Sequence, residues 1–110
     1  MQLWVAEPPV ADGELLLWER GASRPQRHRL IGGRLFLTER RLIFQPNRLE
    51  TAAGAQPWHV ALTDIVGVNP EQWMRRRLRI DIAGGTCERF FVQRLDHTGQ
   101  QLVALVNRLR

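Results

Sequence analysis

The stretch that decides the fold of this chain runs GGRLFLTERRLIFQP over residues 32–46. Residues 34–38 and 41–45 are rich in branched and aromatic side chains, which favour β-strands. Glu39-Arg40 between them is short enough for a tight turn, so the stretch predicts an antiparallel hairpin. The glycine pair Gly32-Gly33 predicts a break or a bulge in the strand that leads into the hairpin.

Further strands are predicted on both sides of this hairpin. Segments with strand character are residues 14–20, 28–31, 58–62, 65–69, 78–82 and 86–92. The connecting segments hold proline, glycine and small polar residues, which predicts loops, over residues 21–26, 46–57 and 70–74. The clearest strand is 78–82, where apolar and charged residues alternate as a half-buried strand requires. Gly84 and Gly85 favour a hairpin turn directly after it.

The last part of the chain has a helical period. Apolar residues at spacings of i, i+3, i+4 and i+7 form one face of a helix, and they are Leu102, Leu105, Val106 and Leu109. Thr98 and Gln101 have the spacing of a capping box, with Asp96 as the competing cap. The sequence therefore predicts a mostly β fold with one C-terminal α-helix that buries its apolar stripe against the strands.

Length and composition agree with one small globular domain. The chain has 110 residues, of which 44% are apolar and 25% charged, which excludes a disordered chain or a fibre. A single cysteine, Cys87, excludes an internal disulfide. We expect residues 1–13 to form an N-terminal tail that packs through Leu3, Trp4 and Val5 or frays. Residues 14–110 are predicted to form the domain.

The charge balance favours anionic partners. All sixteen basic residues are arginine, the net charge is +5 and the isoelectric point is about 11.4. Such a surface attracts lipid headgroups, nucleic acid or acidic proteins, although it also fits a basic surface that only keeps the protein soluble. The first residues lack a cationic start, and the longest apolar run, 15–18, is far short of the ~20 residues that span a bilayer. We therefore expect a cytoplasmic protein, peripheral to the inner face of the membrane if it binds lipid.

The hairpin stretch carries a family resemblance. Residues 32–46 resemble the central hairpin of GRAM domains, which belong to the pleckstrin-homology-like superfamily: glycine, a short strand that ends in threonine, a turn, then arginine, leucine, an aliphatic residue and phenylalanine. The stretch WHVALTDIVGV at 58–68 is similar to the second signature of that family, and the likeness covers residues 14–109. The loop GASRP at 21–25 departs from the family pattern.

The resemblance implies an architecture and a class of function. It implies a partly open antiparallel barrel of about seven strands, capped at one end by the terminal helix, in a small stand-alone domain of bacterial type. It also implies a non-catalytic binding module. The residues agree, because His28, His59 and His97 are isolated and Cys87 is typical of a small core residue. We therefore expect no enzyme, no cofactor and no metal site.

The first group of candidate binding residues surrounds the first predicted loop. It consists of Arg20, Arg24, Arg27 and Arg29. One basic residue followed later by basic-x-basic resembles the pattern with which pleckstrin-homology domains clasp inositol phosphates. Arginine suits that task, because its planar fork donates two hydrogen bonds to one phosphate.

The second group has the composition of a membrane-interface anchor. It consists of Trp73, Met74, Arg75, Arg76, Arg77 and Arg79. A tryptophan can lie at headgroup level while arginines contact anionic lipid. Two other interpretations remain open: Trp73 packs into the core, or Trp73 and Met74 contact a protein partner or a second copy of the chain.

Three functions follow from these features. The first is a binding module, peripheral to anionic membranes or to a protein complex. The alternative is a stand-alone interaction domain that forms a homodimer or a hetero-complex without lipid. Nucleic-acid binding is disfavoured, because it would need aromatic residues interleaved with basic residues on one face of the sheet. Phe90 and Phe91 beside Arg89 are the only hint of such a surface, and they fit a core strand better. Arg40 and Arg41 are expected to be structural, with a salt bridge to Asp64 or Glu39.

Overall fold

The structure, a computed structural model, describes residues 9–109 apart from the side chain of Trp73. Its elements are β1 (Leu16–Gln26), β2 (Arg29–Thr38), β3 (Arg41–Pro46), α1 (Arg48–Ala52), β4 (Trp58–Ala61), a 3-10 turn (Leu62–Asp64), β5 (Ile65–Trp73), β6 (Arg75–Ile82), β7 (Thr86–Val92) and α2 (Leu95–Arg108). The expected tail contacts of Leu3, Trp4 and Val5 lie outside the described residues.

The seven strands form one antiparallel sheet in the order β4-β3-β2-β1-β7-β6-β5. β4 and β5 are the outermost strands, so the sheet is open rather than a closed barrel. α2 packs against the inner face through Leu102 and Val106. This architecture confirms the predicted mostly β fold with one C-terminal helix.

The core lies between the inner face of the sheet and α2. Strand alternation directs every second residue of each strand inward. The buried side chains come from both halves of the sheet and include Leu35, Leu37, Leu42, Phe44, Ile80 and Phe90. The Phe90 ring lies 5.5 Å from that of Phe44 and 5.4 Å from that of Trp58. Phe90 therefore joins β7 to β3 and β4, which lie in the other half of the sheet.

A β-bulge at the start of β1 changes which face its residues occupy. Leu16 pairs with Thr38 and Trp18 with Leu37, which leaves Leu17 as the extra residue. Trp18 packs on the main core, whereas Leu16 packs with Phe36 in a second cluster. Regular strand alternation would place Leu16 and Trp18 on one face, but the bulge reverses the alternation and puts them on opposite faces.

Two predicted interruptions are continuous strand. Residues 21–26 belong to β1, because they pair with β2 throughout and Ala22 and Ser23 also pair with β7. Gly32-Gly33 does not break β2. A Cβ on Gly33 would lie 2.2 Å from the carbonyl oxygen of Gln45 on β3, so this glycine permits close approach of two backbones. The predicted loop 46–57 contains the short helix α1.

The start of α2 differs from the prediction. α2 begins at Leu95, after Arg94 in a left-handed conformation, and no side chain caps it. The Thr98 hydroxyl donates to the carbonyl of Gln93 at 3.0 Å instead.

The arginines of the β2–β3 turn follow the prediction in part. Arg41 pairs with Glu14 at 2.8 Å, not with either predicted carboxylate. Its neighbour Arg40 does pair with Glu39, at 3.5 Å.

Candidate functional site

The β5–β6 hairpin ends in a one-residue tip. Trp73 pairs with Arg75, which leaves Met74 alone at the turn with a φ of 58°. The Met74 side chain is 88% exposed. The predicted loop 70–74 is therefore wrong, because β5 and β6 remain paired up to this turn. The structure does not describe the side chain of Trp73, so its packing into the core and its contact with a partner stay predictions.

Three arginines lie at the same end of the sheet as Met74. The Arg75 guanidinium stacks over the ring of Phe91, 4.0 Å from its centroid. Arg76 donates to both carboxylate oxygens of Asp96, at 3.0 and 2.5 Å. These hydrogen bonds hold the pKa of Asp96 below its usual value. Arg94 is exposed and lies between the end of β7 and Asp96, which places it beside the tip.

We call Met74, Arg75, Arg76 and Arg94 the tip surface. Sequence reasoning missed Arg94, because the nearest arginine, Arg89, is five positions away and Arg94 belongs to no run of basic residues. The hairpin of β6 and β7 was predicted from the sequence. Its register could have indicated that Arg94 lies at the same end of the sheet as the β5–β6 turn. Leu78 pairs with Phe90, so the chain that follows β7 runs toward the start of β6 and the tip. This direction brings the residues just after β7 toward the tip, and the contact of Asp96 with Arg76 agrees with it.

A second set of arginines covers the outer face of β6 and β7. We call Arg77, Arg79 and Arg89 the outer arginine face; strand alternation directs all of them away from the core. Nε of Arg77 and Nε of Arg89 both donate to Oε1 of Glu71, at 2.6 and 2.7 Å. Nε of Arg79 donates to Oδ1 of Asp81 at 2.8 Å. Carboxylates therefore partly neutralise this face.

Glu71 is held in its ionised form by those arginines. Burial raises the pKa of Glu71, but the hydrogen bonds from Arg77 and Arg89 together lower it by more than burial raises it. The pKa of Glu71 is therefore below its usual value. The carboxylate therefore remains charged through the neutral range and joins β5 to β6 and β7. Its role is structural as well as electrostatic, which makes Arg77 and Arg89 poor choices for probing ligand binding.

The first predicted group is divided among separate partners. Arg20 lies over the ring of Trp18, 4.9 Å from its centroid. Arg24 pairs with Glu88 at 2.9 Å. In the β1–β2 hairpin, Arg29 pairs with Glu50 of α1, and Arg27 is exposed at the turn with a φ of 52°.

The register shows that Arg27 and Arg29 are remote from the tip surface. Ala22 of β1 pairs with Val92, near the end of β7 that faces the tip. Because the two strands are antiparallel, β1 runs from Ala22 away from the tip to Gln26. The β1–β2 turn therefore lies at the opposite end of the strands, whereas Arg20 lies toward the tip end. The structure does not bring Arg20, Arg27 and Arg29 together into one clasp.

Other kinds of site find no support in the described part of the chain. No three or more histidine, cysteine, aspartate and glutamate side chains are grouped so that they could hold a metal ion within residues 9–109. Cys87 is half-buried in β7 and has no disulfide partner. Over the same residues, no helix has the length and apolar character needed to cross a bilayer.

Comparisons with known proteins support the fold. No family model matches this chain, and no curated protein matches it either. Among solved structures, it is similar to the C-terminal domain of an unknown protein from Leishmania infantum, with a TM-score of 0.74 and 16% identity over 86% of each chain. It is also similar to the Vps36 N-terminal PH domain, with a TM-score of 0.71 and 17% identity over 94% of this chain and 86% of that one. The chain therefore has a pleckstrin-homology-like fold.

Proposed function

We propose that this chain is a non-catalytic binding module, of the GRAM type, that attaches peripherally to anionic membranes through its tip surface. The observation that carries the proposal is Met74, 88% exposed at the end of a hairpin with arginines around it. An exposed thioether costs little to bury in the headgroup region, because methionine is apolar and flexible. The arginines would contact lipid phosphates at the same depth.

The size of the effect fits weak, reversible attachment. A basic residue near an anionic leaflet contributes about 1 kcal/mol. Arg75 has no carboxylate partner among the described residues and Arg94 has none either, so both charges are available. The outer arginine face begins next to Arg76 on β6 and is partly neutralised by carboxylates, so it adds a smaller attraction. Because the negative leaflet is cytoplasmic, the proposal places the chain at the inner face of the membrane.

Vesicle co-sedimentation tests the proposal. The protein is mixed with vesicles of phosphatidylcholine alone, or of phosphatidylcholine with phosphatidylglycerol, at low and high salt. The expected result is pelleting only with the anionic vesicles, and release by salt. The double variant Arg75→Glu/Arg94→Glu should lose pelleting, and Met74→Ser should weaken it without a change of charge.

A charge-matched variant provides the control. Arg27→Glu/Arg48→Glu changes the net charge equally, but Arg27 lies at the far end of the strands and Arg48 in α1. This variant should keep most of the wild-type pelleting. Equal losses in both double variants would show attraction by net charge alone and contradict a tip-specific site. Failure of the wild type to pellet with any vesicle would reject lipid binding and leave a protein-interaction domain.

A further inference from the structure

A cleft lies between the beginning of β1 and the last two turns of α2, and we call it the β1–α2 cleft. Its strand side consists of Leu17, Trp18 and Leu37, and its helix side includes Gln101, Leu105 and Arg108. The helix residues recur at spacings of four and three positions, so the cleft follows α2 for about 10 Å. Its volume is about 450 Å³, which is within the range of small-molecule sites in proteins.

The middle of the β1–α2 cleft is apolar. Leu17 is the extra residue of the β1 bulge and remains 43% exposed. Trp18 follows it and packs on the core, and Leu37 lies opposite Trp18 on β2. Leu105 packs on the same core from α2. An aliphatic chain placed between these side chains would be removed from water, which favours binding.

Hydrogen-bond donors outnumber acceptors at the Gln101 end of the cleft. The guanidinium of Arg20 lies 4.9 Å from the centroid of the Trp18 ring and donates to Oε1 of Gln101 at 3.3 Å. Nε of Arg20 and Nε1 of Trp18 are buried and have no acceptor in the described part of the chain. Because buried donors in proteins are normally matched by acceptors, this end of the cleft favours a ligand that brings oxygen atoms.

The charge of the cleft is positive. Arg20 lies at its Gln101 end and Arg108 at the other. Within residues 9–109, neither guanidinium pairs with a carboxylate, and none of the described residues that line the cleft is acidic. The cleft is therefore complementary to an anion with an apolar body.

From this geometry we propose that the β1–α2 cleft binds a small carboxylic acid with an aliphatic chain, such as a medium-chain fatty acid. The carboxylate accepts hydrogen bonds from Arg20 and Trp18, and the chain lies along Leu17 and Leu105. The planar guanidinium of arginine matches the two oxygens of a carboxylate. One negative charge is sufficient, since the rest of the lining is mostly apolar.

The charge argues against a second copy of this chain as the occupant. Each copy carries a net charge of +5, so two copies repel. The inference goes beyond membrane attachment, because the cleft and the tip surface have no residue in common.

An NMR titration tests the proposal. The isotope-labelled full chain is titrated with decanoate, decanol and decylammonium, which share one chain and differ in charge. Decanoate should shift the indole N–H signal of Trp18, assigned with Trp18→Phe, and the amide signals of residues 101–108. Decanol should bind about tenfold more weakly, a difference of about 1.4 kcal/mol, and decylammonium should not bind.

A pair of arginine variants tests the countercharge. Arg20→Gln should weaken the binding of decanoate about tenfold and change the affinity for decanol little, because it removes the cation and leaves the apolar wall. Arg27→Gln makes the same change of charge at the exposed β1–β2 turn, at the opposite end of the strands. It should bind decanoate as the wild type does, and equal losses in both variants would reduce the effect to net charge.

A pair of leucine variants tests the apolar wall. Leu15 and Leu17 are both exposed at the beginning of β1, at 62% and 43%, but of the two only Leu17 lines the cleft. Leu17→Ser should weaken the binding of decanoate several-fold, and Leu15→Ser should not. Both variants should still pellet with anionic vesicles, and Arg75→Glu/Arg94→Glu should still bind decanoate. Failure of the cleft is thereby distinguished from failure of the proposed membrane function.

Three outcomes would overturn the proposal. The first is no shift with decanoate at millimolar concentration, or shifts that lie outside the cleft. The second is equal affinity for decanoate and decanol, because it would show that an apolar chain binds without recognition of the carboxylate. The third is a shift of the cleft signals with protein concentration and no ligand, which would show that a second copy occupies the cleft.

Discussion

The guanidinium of Arg76, at the start of β6, makes two hydrogen bonds to the carboxylate of Asp96, in the first turn of α2. The contact joins the hairpin that ends in Met74 to α2. It also places a carboxylate beside a surface that is otherwise cationic. Asp96 therefore reduces the positive charge of the tip surface and competes with any anion that approaches Arg76.

Asp96→Asn is expected to strengthen binding to anionic vesicles several-fold, because it removes one negative charge and releases Arg76. The fold should be unchanged, since both side chains are mostly exposed. The control is Asp64→Asn, which removes an exposed carboxylate just before the start of β5, remote from the tip. Co-sedimentation at several lipid concentrations measures the difference. If the two variants bind equally, Arg76 does not take part.

Replacement of Arg41 is expected to destabilise the fold strongly. The guanidinium of Arg41 donates to both carboxylate oxygens of Glu14, at 2.8 and 2.9 Å, and the Glu14 side chain is 2% exposed. Arg41→Gln leaves that carboxylate buried without its cation, which costs about 3–5 kcal/mol. Arg40→Gln is the matched control, since Arg40 is 63% exposed and should cost less than ~1 kcal/mol. Urea unfolding measures both, and equal losses would contradict the assignment.

The Glu14 carboxylate should make stability depend on pH in the acid range. Hydrogen bonds from Arg41 outweigh burial and lower the pKa of Glu14 from 4.5 to about 2. The folded-state pKa is the lower one, so the stabilisation is complete above the unfolded-state value and is lost as pH falls from 4.5 toward 2. The free energy of unfolding of the wild type and of Glu14→Gln should therefore converge over that range. A difference that stays constant with pH would contradict the shift.

The apolar stripe of α2 should stabilise the fold unequally along its length. Leu102 is fully buried in the core, whereas Leu109 is 45% exposed. Leu102→Ala should lower the free energy of unfolding by about 2–5 kcal/mol, the range for a buried leucine. Leu109→Ala should cost less than ~1 kcal/mol, because it leaves no enclosed cavity. Thermal or urea unfolding tests this, and a small loss for Leu102→Ala would show that the helix is not packed on the sheet.

Replacement of Gly33 by a larger residue is expected to destabilise the fold, because the backbone of β3 lies too close for a Cβ. A Cβ there would lie 2.2 Å from the backbone oxygen of Gln45, so Gly33→Ala must push β2 and β3 apart. A loss of about 1–3 kcal/mol is expected, as for other overpacked sites. At Gly21 the added Cβ meets the end of the flexible Gln93 side chain, at 3.0 Å, so Gly21→Ala should cost less. Equal losses would contradict the close approach of β2 and β3 as the cause, because the effect of Gly→Ala on the unfolded chain is stabilising.

Several elements could be predicted because their cause is local. The β2–β3 hairpin follows from strand-forming residues on both sides of Glu39-Arg40, and β6 from the alternation over residues 78–82. The helical period of Leu102 and Val106 likewise indicated the face of α2 that is buried. In each case the pattern repeats over a few residues, so neighbouring side chains reinforce one another.

Other features depend on residues far apart in the chain. Residues 21–26 have loop composition, yet they form strand because β2 pairs along their whole length and β7 pairs at Ala22 and Ser23. Hydrogen bonds to neighbouring strands outweighed the weak local preference of these residues. The partner of Arg41 was missed for the same reason, since Glu14 lies 27 positions away.

The sequence by itself determined the class of fold and the basic surface, because composition and short-range periodicity encode these properties. Only the tertiary structure decided which charges stand together. Strand register separates Arg27 from the tip and brings Arg94 to it, and one bulged residue reverses the faces of Leu16 and Trp18. The physical reason is that register is set by hydrogen bonding and packing between distant strands, and a shift of one residue exchanges the two faces.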